Sequence, residues 1–404
     1  MFNIPTISEF EKAMIAIKSL HTGKEQIGSM SFNQKNIDMM DIDYSKPEQK
    51  IHFINPQYGG DMIYVYNKFR EYHSHNTTLN VLSASIDDKF YFDILQNQFG
   101  FKNIFNVSFG EMDCAFEAYD IVIRCTPGDT FDFVKGFDIL KPNGKILYSH
   151  LAEIILNKKE RTMSENEERI KFKDIISNNQ TKIKLFNGKY EFKSVFDTPV
   201  ATILVTKKKS DSINILYNHI DNTNTNWNDV KSINDIWIHG NPIVSNIFRF
   251  LNKETKKYPK IFNRLYKNLK RENKNVLNTH KYWVTPNYWN GVLFSKNYYS
   301  FFSEQKLKLI NTKIIYKSEN VSNLDFSFGF KTKKEALNFV YLLETKFMRF
   351  YLSMYKVDKN LNRNESRNLP EFDLSKKWTD KMIQKKLEIP KKYCTFIDEF
   401  NLIQ

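Results

Sequence analysis

An α/β fold built on a parallel, doubly wound sheet is predicted for the first half of the chain, with an α+β region after it. Three observations carry the prediction. Short apolar runs alternate with helical stretches from about residue 50 to residue 206. Turn sequences rich in Gly, Pro and Asn separate them. The rhythm stops after about residue 210, where a polar stretch, 222–228, reads as a loop or linker. Strands that alternate with helices line up in parallel and bury both faces of the sheet. The expected domains are therefore 1–210 and 211–404.

Taken in order, residues 7–21 read as an amphipathic helix, with Phe10, Met14, Ile17 and Leu20 at helical spacing. Residues 51–54 are the first strand, followed by the turn 55–60 and a helix carrying Met62, Val65, Tyr66 and Phe69. Strand 79–84, helix 90–98 and strand 104–107 follow, then strand 119–123, bounded by Thr126-Pro127-Gly128. A helix over 131–140 ends at the turn Lys141-Pro142-Asn143-Gly144, before a strand at 145–149. A late strand covers 198–206. Beyond it, 291–330 alternates like a small antiparallel unit, 332–356 reads as a helix and 378–400 as a helical tail.

With 404 residues the chain is long enough for two cores. Its formal net charge of +14 favours a polyanionic partner, although an AT-rich genome would also inflate lysine. Such a genome does not account for 34 Phe and 21 Tyr, which can fill cores or stack on bases. Cys114, Cys125 and Cys394 lack CxxC spacing and form neither a metal nor a disulfide framework. No apolar run reaches the ~18 residues of a membrane span, and Met1 to Pro5 carry no export pattern. The expectation is a soluble protein of a bacterial cytoplasm or a virus-infected cell, with no membrane partner.

Sheets of this kind bind ligands at the carboxyl ends of their strands. The turns at 55–61 and 124–129 are therefore the places for chemistry. In Asn55-Pro56-Gln57-Tyr58-Gly59-Gly60, glycine lets a ligand approach the backbone and the next helix offers free N–H groups; an ordinary strand–helix turn has the same look. Asp87 or Asp88, after the second strand, can accept from ribose hydroxyls or cap a helix. Arg124-Cys125-Thr126-Pro127-Gly128 reads as an active-site loop or a plain turn. Between 253 and 281, Lys253, Lys256, Lys257, Lys260, Arg264, Lys267, Lys270, Arg271, Lys274 and Lys281 face only Glu254 and Glu272. Tyr258, Phe262, Tyr266, Tyr282 and Trp283 lie among or beside these cations. That stretch is either a solvated helix face or a phosphate-contacting one, since counterion release offsets the mutual repulsion.

The order of these pieces resembles the adenine-specific DNA methyltransferases of type II restriction–modification systems. In the C-terminal third the resemblance runs through Phe330-Lys331-Thr332-Lys333-Lys334-Glu335-Ala336-Leu337-Asn338-Phe339, then Tyr341-Leu342 and Thr345-Lys346-Phe347-Met348-Arg349-Phe350. It continues through Leu369-Pro370, Asp373 to Asp380 and Phe396-Ile397-Asp398. In the N-terminal half the family's Asp-Pro-x-x-Gly-x-Gly stands as Asn55-Pro56-Gln57-Tyr58-Gly59-Gly60-Asp61, with Asp61 in place of the second glycine. The fourth motif, Asn-Pro-Pro-Tyr/Phe after an apolar strand, stands as Cys125-Thr126-Pro127-Gly128. Gly28-Ser29-Met30-Ser31-Phe32 echoes an upstream element.

The resemblance implies a Rossmann-like, methyltransferase-like domain, then a target-recognition domain with a helical tail. It implies S-adenosylmethionine held by Asn55, Pro56, Tyr58, Gly59, Gly60, Asp87 and Asp113. Catalysis falls to Cys125, Thr126, Pro127 and Gly128, and double-stranded DNA to Lys253, Lys256, Lys257, Lys260, Arg264, Lys267, Lys270 and Arg271. A separate methyltransferase or endonuclease subunit is a further implied partner. In the family an Asn side chain and a Pro carbonyl accept from the target amine, and a ring stacks on the flipped base. Cys125 has no amide and Gly128 no ring, a loss worth roughly 10²-fold in rate or more. A Cys125 nucleophile for cytosine chemistry lacks the Pro-Pro pair that precedes it in that class. Three readings stay open: a catalytically silent DNA-binding scaffold, an active adenine methyltransferase, and an RNA-binding or structural protein with a relict fold.

Overall fold

The computed structural model describes residues 4–20, 34–73, 81–156, 163–187, 199–217, 228–231, 233, 236, 242–260, 265–267, 282–286, 289–290, 308–309, 312–316, 326–355 and 369–402. The chain divides into two compact units, Met1–Ile236 and Trp237–Gln404.

The first unit contains α1 (Ile7–Leu20), α2 (Gln34–Asp38), β1 (Ile51–Ile54), α3 (Gly60–Tyr72), β2 (Leu82–Ser85) and α4 (Lys89–Asp93). A π turn, Ile94–Gln98, continues α4. Then come β3 (Ile104–Phe105), β4 (Tyr119–Arg124), α5 (Thr130–Asp138), β5 (Leu140–Leu151), α6 (Glu153–Leu156) and α7 (Met163–Asn178). β6 (Asn179–Asn187), β7 (Pro199–Lys209), β8 (Ile213–Tyr217) and β9 (Asn228–Val230) complete the sheet. Its order is β3-β2-β1-β4-β5-β7-β6-β8-β9. β1 to β5 pair in parallel, and β7 runs antiparallel between β5 and β6. This is the predicted doubly wound, Rossmann-like α/β fold. The strand order reverses between β1 and β4, both of which are central, and the crevice outside their carboxyl ends is the ligand position of such sheets.

The two faces of the sheet differ. Ile51, Phe53, Leu82, Ala84, Ile121 and Ile123 belong to a core that also contains Met62, Val65 and Phe69 of α3. On the opposite side of β1, fully buried His52 bonds through Nδ1 to Ser83 Oγ at 2.9 Å and through Nε2 to Ser85 Oγ at 3.1 Å. Burial lowers the His52 pKa to about 3, so the ring is neutral. Phe109, on the β3–β4 loop, lies 5.4 Å from that ring. Lys135 of α5 anchors the same loop by donating to the carbonyls of Gly110 and Met112.

Several elements differ from the sequence reading. The turn at 141–144 does not part the helix from the strand, since the helix ends at Asp138 and the strand already starts at Leu140. It is a bulge inside β5, where the register jumps from Tyr119↔Leu140 to Ile121↔Lys145 and Asn143 adopts φ 64°. The sheet also continues past Lys209: β8 pairs in parallel with β6, so the first unit runs to Ile236 rather than to 210. α7 and β6 occupy a stretch to which the sequence reading gave no element.

The second unit holds α8 (Pro242–Thr255), β10 (Leu265–Lys267), β11 (Tyr282–Pro286), β12 (Trp289–Asn290), β13 (Lys308–Leu309), β14 (Thr312–Tyr316) and β15 (Phe326–Phe330). The helices α9 (Lys333–Leu343), α10 (Lys346–Tyr355), α11 (Asp380–Lys386) and α12 (Lys391–Leu402) follow. Four strands form an antiparallel sheet, β10-β15-β11-β14. α9 starts with a capping box, Thr332 and Glu335, worth about 1 kcal/mol. Its Phe339 packs 4.9 Å from Phe328 and 5.2 Å from Phe330. The helix expected over 332–356 is broken at 344–345, because Asp380 caps the Phe347 amide at 2.8 Å and starts a new helix. The tail is likewise two helices, parted where Glu388 takes φ 51° before Pro390.

Candidate functional site

The loop after β1 makes a tight turn before α3. Asn55 and Gln57 hold left-handed backbone (φ 47° and 51°), and Gly59, at φ 78°, is the N-cap of α3. A helix start of this kind leaves its first amides free for a ligand. Here the chain fills two of them itself. The buried Asp61 carboxyl accepts from its own amide and from the Met62 amide, the latter at 3.0 Å. A Cβ on Gly59 would sit 2.3 Å from Leu95 Cδ2, so the space that the glycine opens is taken by a leucine of the π turn. Tyr58 is half-buried, its ring 4.9 Å from Tyr91 and 6.2 Å from Phe90. Pro56 and Gly60 are buried. The side-chain oxygens Asn55 Oδ1 and Gln57 Oε1 are buried without a hydrogen-bond partner.

Across the crevice, the loop after β4 is also closed by its own side chains. Cys125 is 5% exposed, and its thiol bonds to the Asp61 carboxyl. Burial raises the Asp61 pKa to about 7. Burial, together with the neighbouring Asp61, pushes the Cys125 thiol well above its ordinary value. A thiol so placed does not form the nucleophilic thiolate. The Gly128 amide bonds to the Ser149 carbonyl at 3.0 Å, and a Cβ on Gly128 would stand 2.1 Å from the Tyr148 hydroxyl and 2.4 Å from Arg124 Nε. Arg124 pairs with Asp132 and lies over the Tyr148 ring, 5.7 Å from its centroid. The Tyr148 hydroxyl donates to the Asp129 carbonyl at 2.7 Å. Thr126 is partly buried and Pro127 exposed.

The acids distribute differently. Asp88, not Asp87, caps α4, accepting from the Phe90 amide at 2.8 Å. Asp87 is exposed, and its charge, like that of Asp129, acts on Asp132. Burial raises the Asp132 pKa although Arg124 opposes the shift. Asp113 is exposed on the β3–β4 loop that Lys135 anchors. The sequence reading singled out Arg124 only as part of its loop, and it missed Leu95, Asp132 and Tyr148, which close the site. Asp132, on the first turn of α5 and eight residues after Arg124, was its one visible signal.

S-adenosylmethionine is the group that the resemblance implies. The residues present do not fit its methionine end. Asp61 reaches across to Cys125 between the carboxyl ends of β1 and β4, Leu95 occupies the room over Gly59, and the Asp61 and Met62 amides of α3 already donate to the Asp61 carboxyl.

In the second unit, Lys253, Lys256 and Lys257 are exposed at and just beyond the end of α8. Lys257 pairs with Glu254. Lys260 is partly buried, which lowers its pKa, and Lys256 adds to the shift. Lys267 stands in β10. Arg264, Lys270, Arg271, Lys274, Lys281 and the segment 28–32 lie outside the described residues.

No family model matches the chain, and no curated protein does. Solved structures do match. A type I restriction–modification methyltransferase subunit from Streptococcus thermophilus is 11% identical at a TM-score of 0.37, over 52% of each chain. The type IIG restriction endonuclease BpuSI is 8% identical at 0.41, over 95% of this chain and 63% of its own. A putative class I S-adenosylmethionine-dependent methyltransferase from Listeria monocytogenes is 11% identical at 0.33, over 51% and 70%. The chain spans about half the length of the type I subunits that it matches. Strand order and register, rather than these superpositions, carry the fold assignment. No helix among the described residues is long and apolar enough to cross a membrane.

Proposed function

We propose that this chain is a DNA-binding protein in which a methyltransferase-like scaffold persists without methyl transfer, acting as a specificity partner or by occupying DNA. One observation carries the reading: Asp61 meets Cys125 across the crevice where a cofactor and a target base would have to meet. Asp87, Asp129 and Asp132 near that mouth also disfavour a phosphate there. DNA contact is assigned instead to the second unit, through Lys253, Lys256, Lys257 and Lys260 together with Arg264, Lys267, Lys270 and Arg271.

Calorimetry with S-adenosylmethionine and tritiated methyl transfer to genomic DNA test the first half of the proposal. No transfer is expected, and labelled adenine would end the reading. Duplex binding that weakens steeply with salt is expected for the second half. Replacing Lys256, Lys257 and Lys260 with alanine should weaken binding and flatten that slope, whereas unchanged binding removes this stretch from the interface. A second reading, an active adenine methyltransferase, is favoured by the orphaned acceptors Asn55 Oδ1 and Gln57 Oε1, which suit a ligand that donates hydrogen bonds. The same transfer assay separates the two.

A further inference from the structure

A run of lysines over 376–392, of which the sequence reading named only Lys376 and Lys377 and only as part of the family resemblance, comes up to the basic end of α8 through Lys386. Between 376 and 392 there are seven lysines and two acids. All seven, Lys376, Lys377, Lys381, Lys385, Lys386, Lys391 and Lys392, are exposed. Of the two acids, Asp380 is committed to the Phe347 amide, and Glu388 lies close enough to Lys257 to act on its charge.

One contact from this segment, and two from the residues just before it, join it to the end of α8. The Glu371 amide bonds to the Pro259 carbonyl at 2.7 Å, the Tyr258 ring lies 5.5 Å from Phe372, and Lys386 Nζ stands 6.0 Å from the Tyr258 centroid. Aromatic faces hold other ammonium groups: Lys377 is 3.8 Å from the Tyr341 centroid, Lys376 4.9 Å from Trp378, and Lys392 5.2 Å from Tyr393. A ring under an ammonium restrains it from one side and leaves N–H donors for a partner on the other. Like charges gathered in this way repel one another until an anion meets them.

We infer that the lysines of 376–392 and Lys256 and Lys257 form one phosphate-binding surface, which takes the backbone of double-stranded DNA. The inference rests on the DNA-binding reading above and adds a second arm to it. A lipid surface fits less well. Among the described residues of the second unit the one large exposed hydrophobic side chain is Tyr341, and it lies under Lys377. An interfacial helix needs an apolar face to bury.

The test uses the full chain and a fluorescein-labelled duplex, with anisotropy followed over a range of salt concentrations. Each lost phosphate contact lowers the slope of log K against log salt by about 0.9. Replacing Lys385, Lys386 and Lys391 with alanine should lower that slope by about 2 to 3, whereas arginine at the same positions should preserve it. An alanine variant with the wild-type slope and affinity overturns the second arm and leaves the DNA reading standing. A wild-type chain that binds no duplex even at low salt overturns both. Binding to phosphatidylserine vesicles in place of duplex overturns the choice of partner.

Discussion

Replacing Asp61 with asparagine should remove most of one pH dependence of folding. Asp61 is 3% exposed and its pKa is raised by burial from 3.8 to about 7. Between those values the folded chain holds a proton that the unfolded chain has released. Raising the pH therefore favours unfolding. The stabilisation is complete below pH 3.8 and is lost as pH rises to 7. At about 1.4 kcal/mol per unit, the span of roughly three units corresponds to about 4 kcal/mol at most. His52 acts in the opposite sense. Its pKa falls from 6.5 to about 3, so its contribution is present above 6.5 and is lost on acidification. From about pH 4 to 6.5 the two slopes nearly cancel in the wild type. Asparagine keeps an oxygen for the Met62 amide and has no proton to lose. Urea denaturation of both proteins, followed by circular dichroism from pH 4 to 8, reads the difference in stability, in which all shared titrations drop out. The variant should gain on the wild type by up to about 4 kcal/mol as pH rises to 7. A difference that stays flat across this range would refute the burial argument.

Two smaller predictions concern the same loops. Gly128→Ala drives a methyl into Tyr148 and Arg124, and thermal unfolding should show a loss of about 1–3 kcal/mol; an unchanged Tm would mean that the loop yields freely. Native-state alkylation with iodoacetamide, mapped by mass spectrometry, should modify Cys114 and Cys394, both partly exposed, before the buried Cys125. Faster labelling of Cys125 would contradict its burial against Asp61.

Much of the first unit is visible in the residues because its central strands are short, mostly apolar runs, Ile51 to Ile54 interrupted only by His52 and Tyr119 to Ile123 only by Asp120, as a buried parallel sheet requires. β6 was not legible, since buried Thr181, Ile183 and Leu185 alternate with lysines, one of which, Lys184, is itself buried beside Asn36. α7 was hidden by its acidic opening, Ser164 to Glu168, ahead of the buried Phe172 and Ile176. The two loops of the site could be found from strand ends and glycines. What fills them could not, because Leu95 and Tyr148 reach Gly59 and Gly128 from elements 36 and 20 residues further along. Spacing reveals which backbone is exposed to approach; only packing reveals whether the chain's own side chains have already arrived. Lys386 was passed over for a similar reason, since its nearness to Tyr258 is a tertiary fact.

The widest strands of the nine-stranded sheet are interior, and its margins are slight: β3 has two residues and β9 three. A margin so short exposes few unsatisfied peptide groups, too few to seed the growth of a neighbouring molecule's sheet onto this one. Lengthening β3 through the following Asn106 and Val107 would turn a blunt border into an adhesive one, and aggregation during expression would be its first sign.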